Sequence, residues 1–246
     1  MTTNAINNMK LDILAIGVHP DDVELSCSGT LLKHISLGKK CGILDLTIGE
    51  LGTRGNGPLR LEEAAAAARI MGIDIRDNLG MADGFFKNDR VHQLKIIEKI
   101  RQYRPEIVLC NAVSDRHPDH GRSAQLVSEA CFYSGLRKIE TETDGKKQDA
   151  WRPKAVYHYI QDRYMKPDFV VDVTPFVDKK MEAIKAFKSQ FYDPQSNEPE
   201  SPISVKNFFD VVLGKMSVYG RDAGYDYAEG FIAERVVGVK DLFDLK

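Results

Sequence analysis

Residues 11–38 read LDILAIGVHPDDVELSCSGTLLKHISLG, and the order of their parts decides the fold. The apolar run at 11–18 has the length and branched content of a strand buried on both faces. HPDD follows at 19–22 with no spacer. Residues 23–37 then read as a helix, and Gly38 stands where a left-handed residue closes a helix C-terminus. Strand, short polar turn and helix together open a β–α unit.

The pattern repeats downstream. Residues 41–48 (CGILDLTI) predict a second strand, and a glycine-rich loop, GELGTRGNGP, runs from 49 to 58. Pro58 suits the first turn of a helix at 59–71, whose alanines have high helix propensity. A short strand near 75–79 follows. Leu94, Ile97, Ile100 and Tyr103 line one face of the next helix, which ends at Arg104-Pro105. EIVLC at 106–110 predicts another buried strand, and a helix runs from near His120 to about Ser134. Strands alternating with amphipathic helices imply an α/β fold: a Rossmann-like, mainly parallel sheet flanked by helices, with its active site at the carboxyl ends of the strands. The second half is less regular. It predicts a polar loop at 140–150, strands at 155–160 and 168–173, and a helix from Thr174-Pro175 to about 189. A polar loop at 193–202, a helix at 204–219 and a last strand around 235–239 complete it. No repeat or linker divides the chain, so residues 10–246 are expected to form one domain behind a flexible polar tail at 1–9.

Composition narrows the function. The chain has 246 residues, 43% of them hydrophobic and 28% charged, with a net charge of −2. That balance gives no electrostatic footprint for nucleic acid. The N-terminus lacks the apolar core of a signal peptide, and no segment approaches the roughly 18 apolar residues of a membrane span. Cys27, Cys41, Cys110 and Cys131 form no CxxC pair and read as reduced, in or near the core, which points to the cytoplasm.

The chemistry concentrates in HPDD at 19–22 and DRHPDH at 115–120. Both follow buried strands, so both belong at the same sheet edge, facing one cleft that the loop 49–58 should border. Imidazole and carboxylate are zinc ligands, and a catalytic zinc needs only three from the protein. His19, Asp22 and His120 supply such a set for zinc or another divalent metal. Asp21 is left beside the metal to take a proton from an acidified water, and His117 is left to stabilise an oxyanion. Each motif alone has a plainer reading. Asp-Asp after a strand often only caps a helix, and DRHPDH could be a polar turn with a solvated histidine. A dinucleotide site is disfavoured, because no GxGxxG follows the first strand. His34, His92 and His158 lack comparable context and are expected to be structural or exposed.

These motifs resemble the LmbE-like, or PIG-L-type, zinc deacetylases. The resemblance is carried by GVHPDDVELSCSGTL (17–31), DLTIGELGTRG (45–55), DRHPDHG (115–121) and YAEGF (227–231). It looks closest to the bacillithiol-biosynthesis branch, which deacetylates N-acetylglucosaminyl-malate. It implies zinc on His19, Asp22 and His120, Asp21 as general base, and His117 as oxyanion stabiliser with Asp119 orienting it. It further implies Arg60 and Arg116 near a substrate carboxylate, and a small-molecule N-acetylglucosaminide as partner. It leaves a homo-oligomer open, although no segment predicts an interface. One position departs from the pattern. Some relatives carry a tyrosine that reaches the reacting carbonyl, whereas the best-matching stretch here, KNFFDVV, has Phe208 and Phe209.

Overall fold

The computed structural model describes residues 10–73 and 75–245; the tail expected at 1–9 lies outside them. Its strands are β1 (Ile13–Gly17), β2 (Cys41–Thr47), β3 (Ile75–Met81), β4 (Ile107–Cys110), β5 (Glu142–Thr143), β6 (Lys146–Lys147), β7 (Ala155–Tyr159), β8 (Phe169–Asp172) and β9 (Ala228–Ala233). Its α-helices are α1 (Asp22–Ser36), α2 (Gly57–Met71), α3 (Arg90–Tyr103), α4 (Pro118–Tyr133), α5 (Val177–Lys185) and α6 (Phe208–Ala223). Seven strands form one sheet in the order β3-β2-β1-β4-β7-β9-β8. β3 through β7 run parallel, and β9 is antiparallel to both its neighbours.

Alternation within β1 shows why helices cover both faces. Ile13 and Ala15 pack with Val23, Cys27 and Leu31 of α1. Leu14 and Ile16 turn to the other face and join Ile97 and Ile100 of α3 and Leu126 and Val127 of α4. A strand buried on both sides needs apolar residues at every position, and all five residues of β1 are buried.

The topology positions the site. β1 is flanked by β2 on one side and β4 on the other. The chain therefore leaves β1 in one direction and later crosses over to build the sheet in the other. Between two such strands the outgoing loops diverge and open a crevice at their carboxyl ends. HPDD leaves β1 there and the 115–120 motif follows β4, so the two meet across the switch point.

The C-terminal half departs from the expectation. The last strand is β9, at 228–233, rather than 235–239. Within the expected stretch Val236 is 95% exposed. β9 instead threads between β7 and β8. Its buried Glu229 is paired with Lys180 of α5 at 2.8 Å and accepts from the backbone N–H groups of Gly29 and Thr30 in α1. The helix after Thr174 stops at Lys185, α6 begins at Phe208, and a short β5–β6 hairpin forms inside the stretch expected to be loop. Among the described residues no helix is long and apolar enough to cross a membrane, and all four cysteines are buried and unpaired.

Candidate metal centre and active site

The HPDD turn is bound back on itself. Asp22 opens α1 and turns its Oδ2 to the backbone N–H groups of Val18 and His19, each at 3.0 Å. The same oxygen accepts from Asn111 Nδ2 at 2.9 Å, and Oδ1 accepts from Gln161 Nε2 at 3.0 Å. Asp22 is thus fixed, nearly solvent-free, from three parts of the chain. Its acidity is a balance. Burial opposes the charge, but the facing His120 and His19 outweigh it and hold the carboxyl well below the usual range.

His120 comes from the first turns of α4, with Nε2 lying 3.2 Å from Asp22 Oδ1. Its other nitrogen, Nδ1, bonds Asp115 Oδ2 at 2.5 Å. His19 mirrors this arrangement: Nδ1 is 3.8 Å from Asp22 Oδ2, and Nε2 bonds Asp83 Oδ1 at 3.0 Å. Four-coordinate zinc with bonds of about 2.0–2.1 Å separates its donors by roughly 3.3 Å. The 3.2 and 3.8 Å separations lie either side of that spacing, though they run to different oxygens of Asp22, Oδ1 from His120 and Oδ2 from His19. Each histidine also has a carboxylate on its far nitrogen, the arrangement that fixes the tautomer and ring orientation of metal-bound imidazoles. Burial alone would lower the two imidazole pKa values. The surrounding carboxylates instead raise His19 to about 10 and His120 to about 9. Such a cluster favours positive charge, and the donors present fit a divalent cation.

His117 closes the cluster. Its ring centroid is 4.7 Å from that of His19 and 5.2 Å from that of His120. One nitrogen from each of the three imidazoles falls within a 4.8 Å group, as do donors of His19, Asp83 and Asp119. His117 caps α4 by accepting from the Asp119 N–H at Nδ1, 3.3 Å away. The neutral ring must then carry its proton on Nε2. Burial first, then the two neighbouring imidazoles, lower its pKa. The resemblance implies that Asp119 orients His117. The bond between them is through the Asp119 amide, while its carboxylate accepts from Gly84 N–H at 2.9 Å and Arg122 at 2.6 Å.

Asp21 differs from Asp22 in every respect. Its backbone has φ +127°, a region costly for a residue with a Cβ. It makes no helix-capping hydrogen bond, so the plainer reading of Asp-Asp as a cap fails here. One nitrogen of Arg60, Nη2, holds the turn by donating to Asp21 Oδ2 at 2.8 Å and to Pro20 O at 2.6 Å. Arg60 Nη1 donates to Gln190 Oε1 at 2.8 Å. Burial raises the Asp21 carboxyl to about 7, against the pull of Arg60. Arg60 was expected beside a substrate carboxylate. It is instead 5% exposed and spends these donors inside the protein. Arg116 sits at the rim and bonds Asp162 at 2.7 Å, both partly exposed.

His19, Asp21, Asp22, Arg60, Arg116, His117 and His120 border one cavity of about 330 Å³. Residues 51–54 cover one side. Phe208, Val212 and Met216 of α6 form an apolar wall with Leu25 and Ile203. Among the described residues Tyr219 is the one tyrosine on the lining, and its hydroxyl is committed to Met165 O at 3.0 Å. The missing tyrosine noted in the sequence is therefore not replaced by this one.

Asp83, Asp115, Asn111 and Gln161 were not singled out in the sequence. Asp83, Asn111 and Gln161 each follow the carboxyl end of a parallel strand, β3, β4 and β7, and Asp115 begins the second motif. Scanning every strand's exit for polar side chains would have found them. His34 bonds Thr30 O, His92 bonds Asp89 and His158 bonds Asn111 O, all away from the cluster.

A mainly parallel α/β sheet with an imidazole–carboxylate cluster at its switch point defines the class of protein, and comparison with known proteins agrees. The family described as PIG-L, GlcNAc-PI de-N-acetylase, matches residues 14–131. Diacetylchitobiose deacetylase of Thermococcus kodakarensis is 29% identical over 230 residues, covering 89% of this chain and 81% of that protein. A probable N-acetyl-alpha-D-glucosaminyl L-malate deacetylase 2 of Bacillus anthracis is 26% identical, covering 73% and 81%. The solved structure of conserved protein TT1542 from Thermus thermophilus is 34% identical with a TM-score of 0.82, covering 94% of this chain and 98% of that one. The chain belongs to the PIG-L family of N-deacetylases.

Proposed function

We propose that this protein hydrolyses the N-acetyl group of an N-acetylglucosaminide, with a divalent cation, zinc before others, on His19, Asp22 and His120. The observation that carries this reading is the convergence of those donors with Asp21 and His117 on one cavity. When bound, the cation supplies a Lewis acid for the acetyl carbonyl and acidifies a water. Asp21 Oδ1, which makes no hydrogen bond among the described residues, takes the water proton while Arg60 holds Oδ2. His117 donates from Nε2 to the carbonyl oxygen as the tetrahedral oxyanion forms. The proton at Asp21 passes to the departing nitrogen, the C–N bond breaks, and acetate and the amine leave.

The substrate proposed is N-acetylglucosaminyl-malate, the deacetylation step of bacillithiol biosynthesis. The GELGTRG and YAEGF stretches and the Bacillus anthracis relative support it. The same chemistry on another N-acetylglucosamine conjugate, or on an amide of a related thiol, is the alternative, favoured by the Thermococcus kodakarensis relative. Buried, unpaired cysteines are in keeping with a cytoplasmic enzyme. The test is acetate release from N-acetylglucosaminyl-malate and diacetylchitobiose, before and after a chelator and after zinc is restored. Release that stops with chelator and returns with zinc supports the mechanism. Release unaffected by thorough metal removal would overturn it.

A further inference from the structure

The two arginines that the sequence offered as readers of a substrate acid already have protein partners, Asp21 for Arg60 and Asp162 for Arg116. A third arginine on the cavity lining is in a different state. Arg54, in the loop between β2 and α2, is 5% exposed, and its guanidinium makes no hydrogen bond among the described residues. Its Nε is buried without a partner, as is that of Arg60, but Arg60 spends both its Nη atoms on protein acceptors and Arg54 spends neither. The nearest counter-charge is Glu198 Oε2 at 3.6 Å, beyond hydrogen-bond reach. That carboxylate is 47% exposed, and both its oxygens accept from Gly55 N–H at 3.2 Å. A guanidinium whose Nε is shut from water without an acceptor is costly to fold, and an anion that completes it would offset that cost.

The loop holds Arg54 still. Gln190 Nε2 donates to Arg54 O at 2.9 Å, while the other end of the same amide, Oε1, accepts from Arg60. Gly55 has φ +68°, and a Cβ there would strike Ser189 Oγ at 2.8 Å. The Arg54 backbone is thus tied through Gln190 and Arg60 to Asp21, while its side chain borders the same cavity as Asp21. A planar fork with free donors suits a carboxylate, which it can grip with two parallel hydrogen bonds.

We propose that Arg54 is the subsite for a carboxylate on the substrate's aglycone, and so the residue that separates acidic from neutral N-acetylglucosaminides. The proposal rests on the deacetylase reading above and deepens it. It assigns to Arg54 the role that the sequence resemblance gave to Arg60 and Arg116. Glu198 competes weakly for the same guanidinium.

The test compares N-acetylglucosaminyl-malate with methyl N-acetylglucosaminide on the wild type and on Arg54→Gln, Arg54→Lys and Glu198→Gln, with melting curves to confirm folding. Arg54→Gln should lower kcat/KM for the malate conjugate about 10- to 100-fold, mainly through KM, and leave the neutral glycoside within about twofold. Arg54→Lys should recover part of the loss, because it keeps the charge and loses the fork. Glu198→Gln should lower KM for the acid alone. Equal losses on both substrates would make Arg54 a brace for the loop and overturn the proposal. A wild type that cleaves both substrates equally well would overturn it too, while leaving the deacetylase reading intact. A wild type that cleaves neither but releases acetate from diacetylchitobiose would overturn this assignment and leave the deacetylase reading intact.

Discussion

The floor and the roof of the cavity are built on opposite principles. The floor is the pair of turns leaving β1 and β4, where almost every polar atom is committed. Asp22 accepts from four donors and faces His120 besides, and His19 and His120 each lean on a carboxylate. The roof is residues 51–54, 201–203 and α6, where apolar side chains stand beside a guanidinium with no acceptor. A saturated network holds reacting groups in one geometry and tolerates little change. An under-committed surface can be altered without disturbing that geometry. Reaction type therefore belongs to the floor and substrate choice to the roof, and each expectation below tries to break that division.

The largest effect is expected at Asp21. Asp21→Asn should lower kcat by about 10²- to 10⁴-fold, the usual contribution of a general base, on acidic and neutral substrates alike. Metal content should stay at the wild-type level, because Asp21 is not among the proposed ligands. Asp22→Asn should show the converse, with metal lost under dialysis. Full activity in a metal-loaded Asp21→Asn protein would mean that another group takes the proton.

Arg60 comes next and tests where floor ends and roof begins. It borders the cavity, yet it is bonded to Asp21, Pro20 O and Gln190. Arg60→Ala should lower kcat/KM on the order of 10²-fold on both substrates, since it frees a strained turn to misplace the base. It should also lower stability in denaturant unfolding by less than the roughly 3–5 kcal/mol of a broken buried pair, because Asp21, already raised to about 7, can take up a proton when its counter-charge is lost. A loss confined to the acidic substrate would move Arg60 to the roof and return the acid-reading role to it.

These two arginines show how much of the site was legible in the sequence. HPDD and DRHPDH could be placed at one edge because strand exits in a parallel sheet share that edge. That rule needs only the strand–helix order, which apolar periodicity gives. The partner of a side chain is a different kind of fact. Arg60 at the start of α2 reaches the turn after β1 only because α2 packs beside α1, and no local pattern encodes that contact. The misplaced last strand has the same cause. Residues 236–239 have the β-branched look of a strand but are left largely exposed. AEGFIA carries a glutamate and a glycine and still enters the sheet, because Lys180, fully buried, waits for Glu229. Tertiary charge pairing overrode local propensity there.

Smaller effects are expected one shell out from the proposed ligands. Asp83→Asn and Asp115→Asn should each weaken metal affinity about 10- to 100-fold, measured by competition with a chromogenic chelator. If the His19 and His120 sides of the cluster are equivalent, the two variants should match. A silent Asp83 would suggest instead that the second group of donors, His19, Asp83 and Asp119, is structural.

The smallest effect is expected at Arg116, and its smallness matters to the comparison. Arg116 and Arg54 both border the cavity and both have a carboxylate neighbour. The Arg116 pair is short, at 2.7 Å, with side chains 43% and 40% exposed. The Arg54 pair is long, at 3.6 Å, and Arg54 itself is only 6% exposed. By distance alone Arg116 has the stronger partnership. Water reverses the ranking, since an exposed pair is screened and contributes about 0–1 kcal/mol. A guanidinium shielded from water has a larger effect on whatever anion completes it. Arg116→Ala should therefore change kcat/KM for the malate conjugate by no more than about fivefold, and that change should disappear as ionic strength rises. A loss of two orders of magnitude that survives high salt would show that substrate binding buries Arg116 and draws it from Asp162. The acid would then be gripped from the α4 side of the cavity, and the roof loop would lose its claim to specificity.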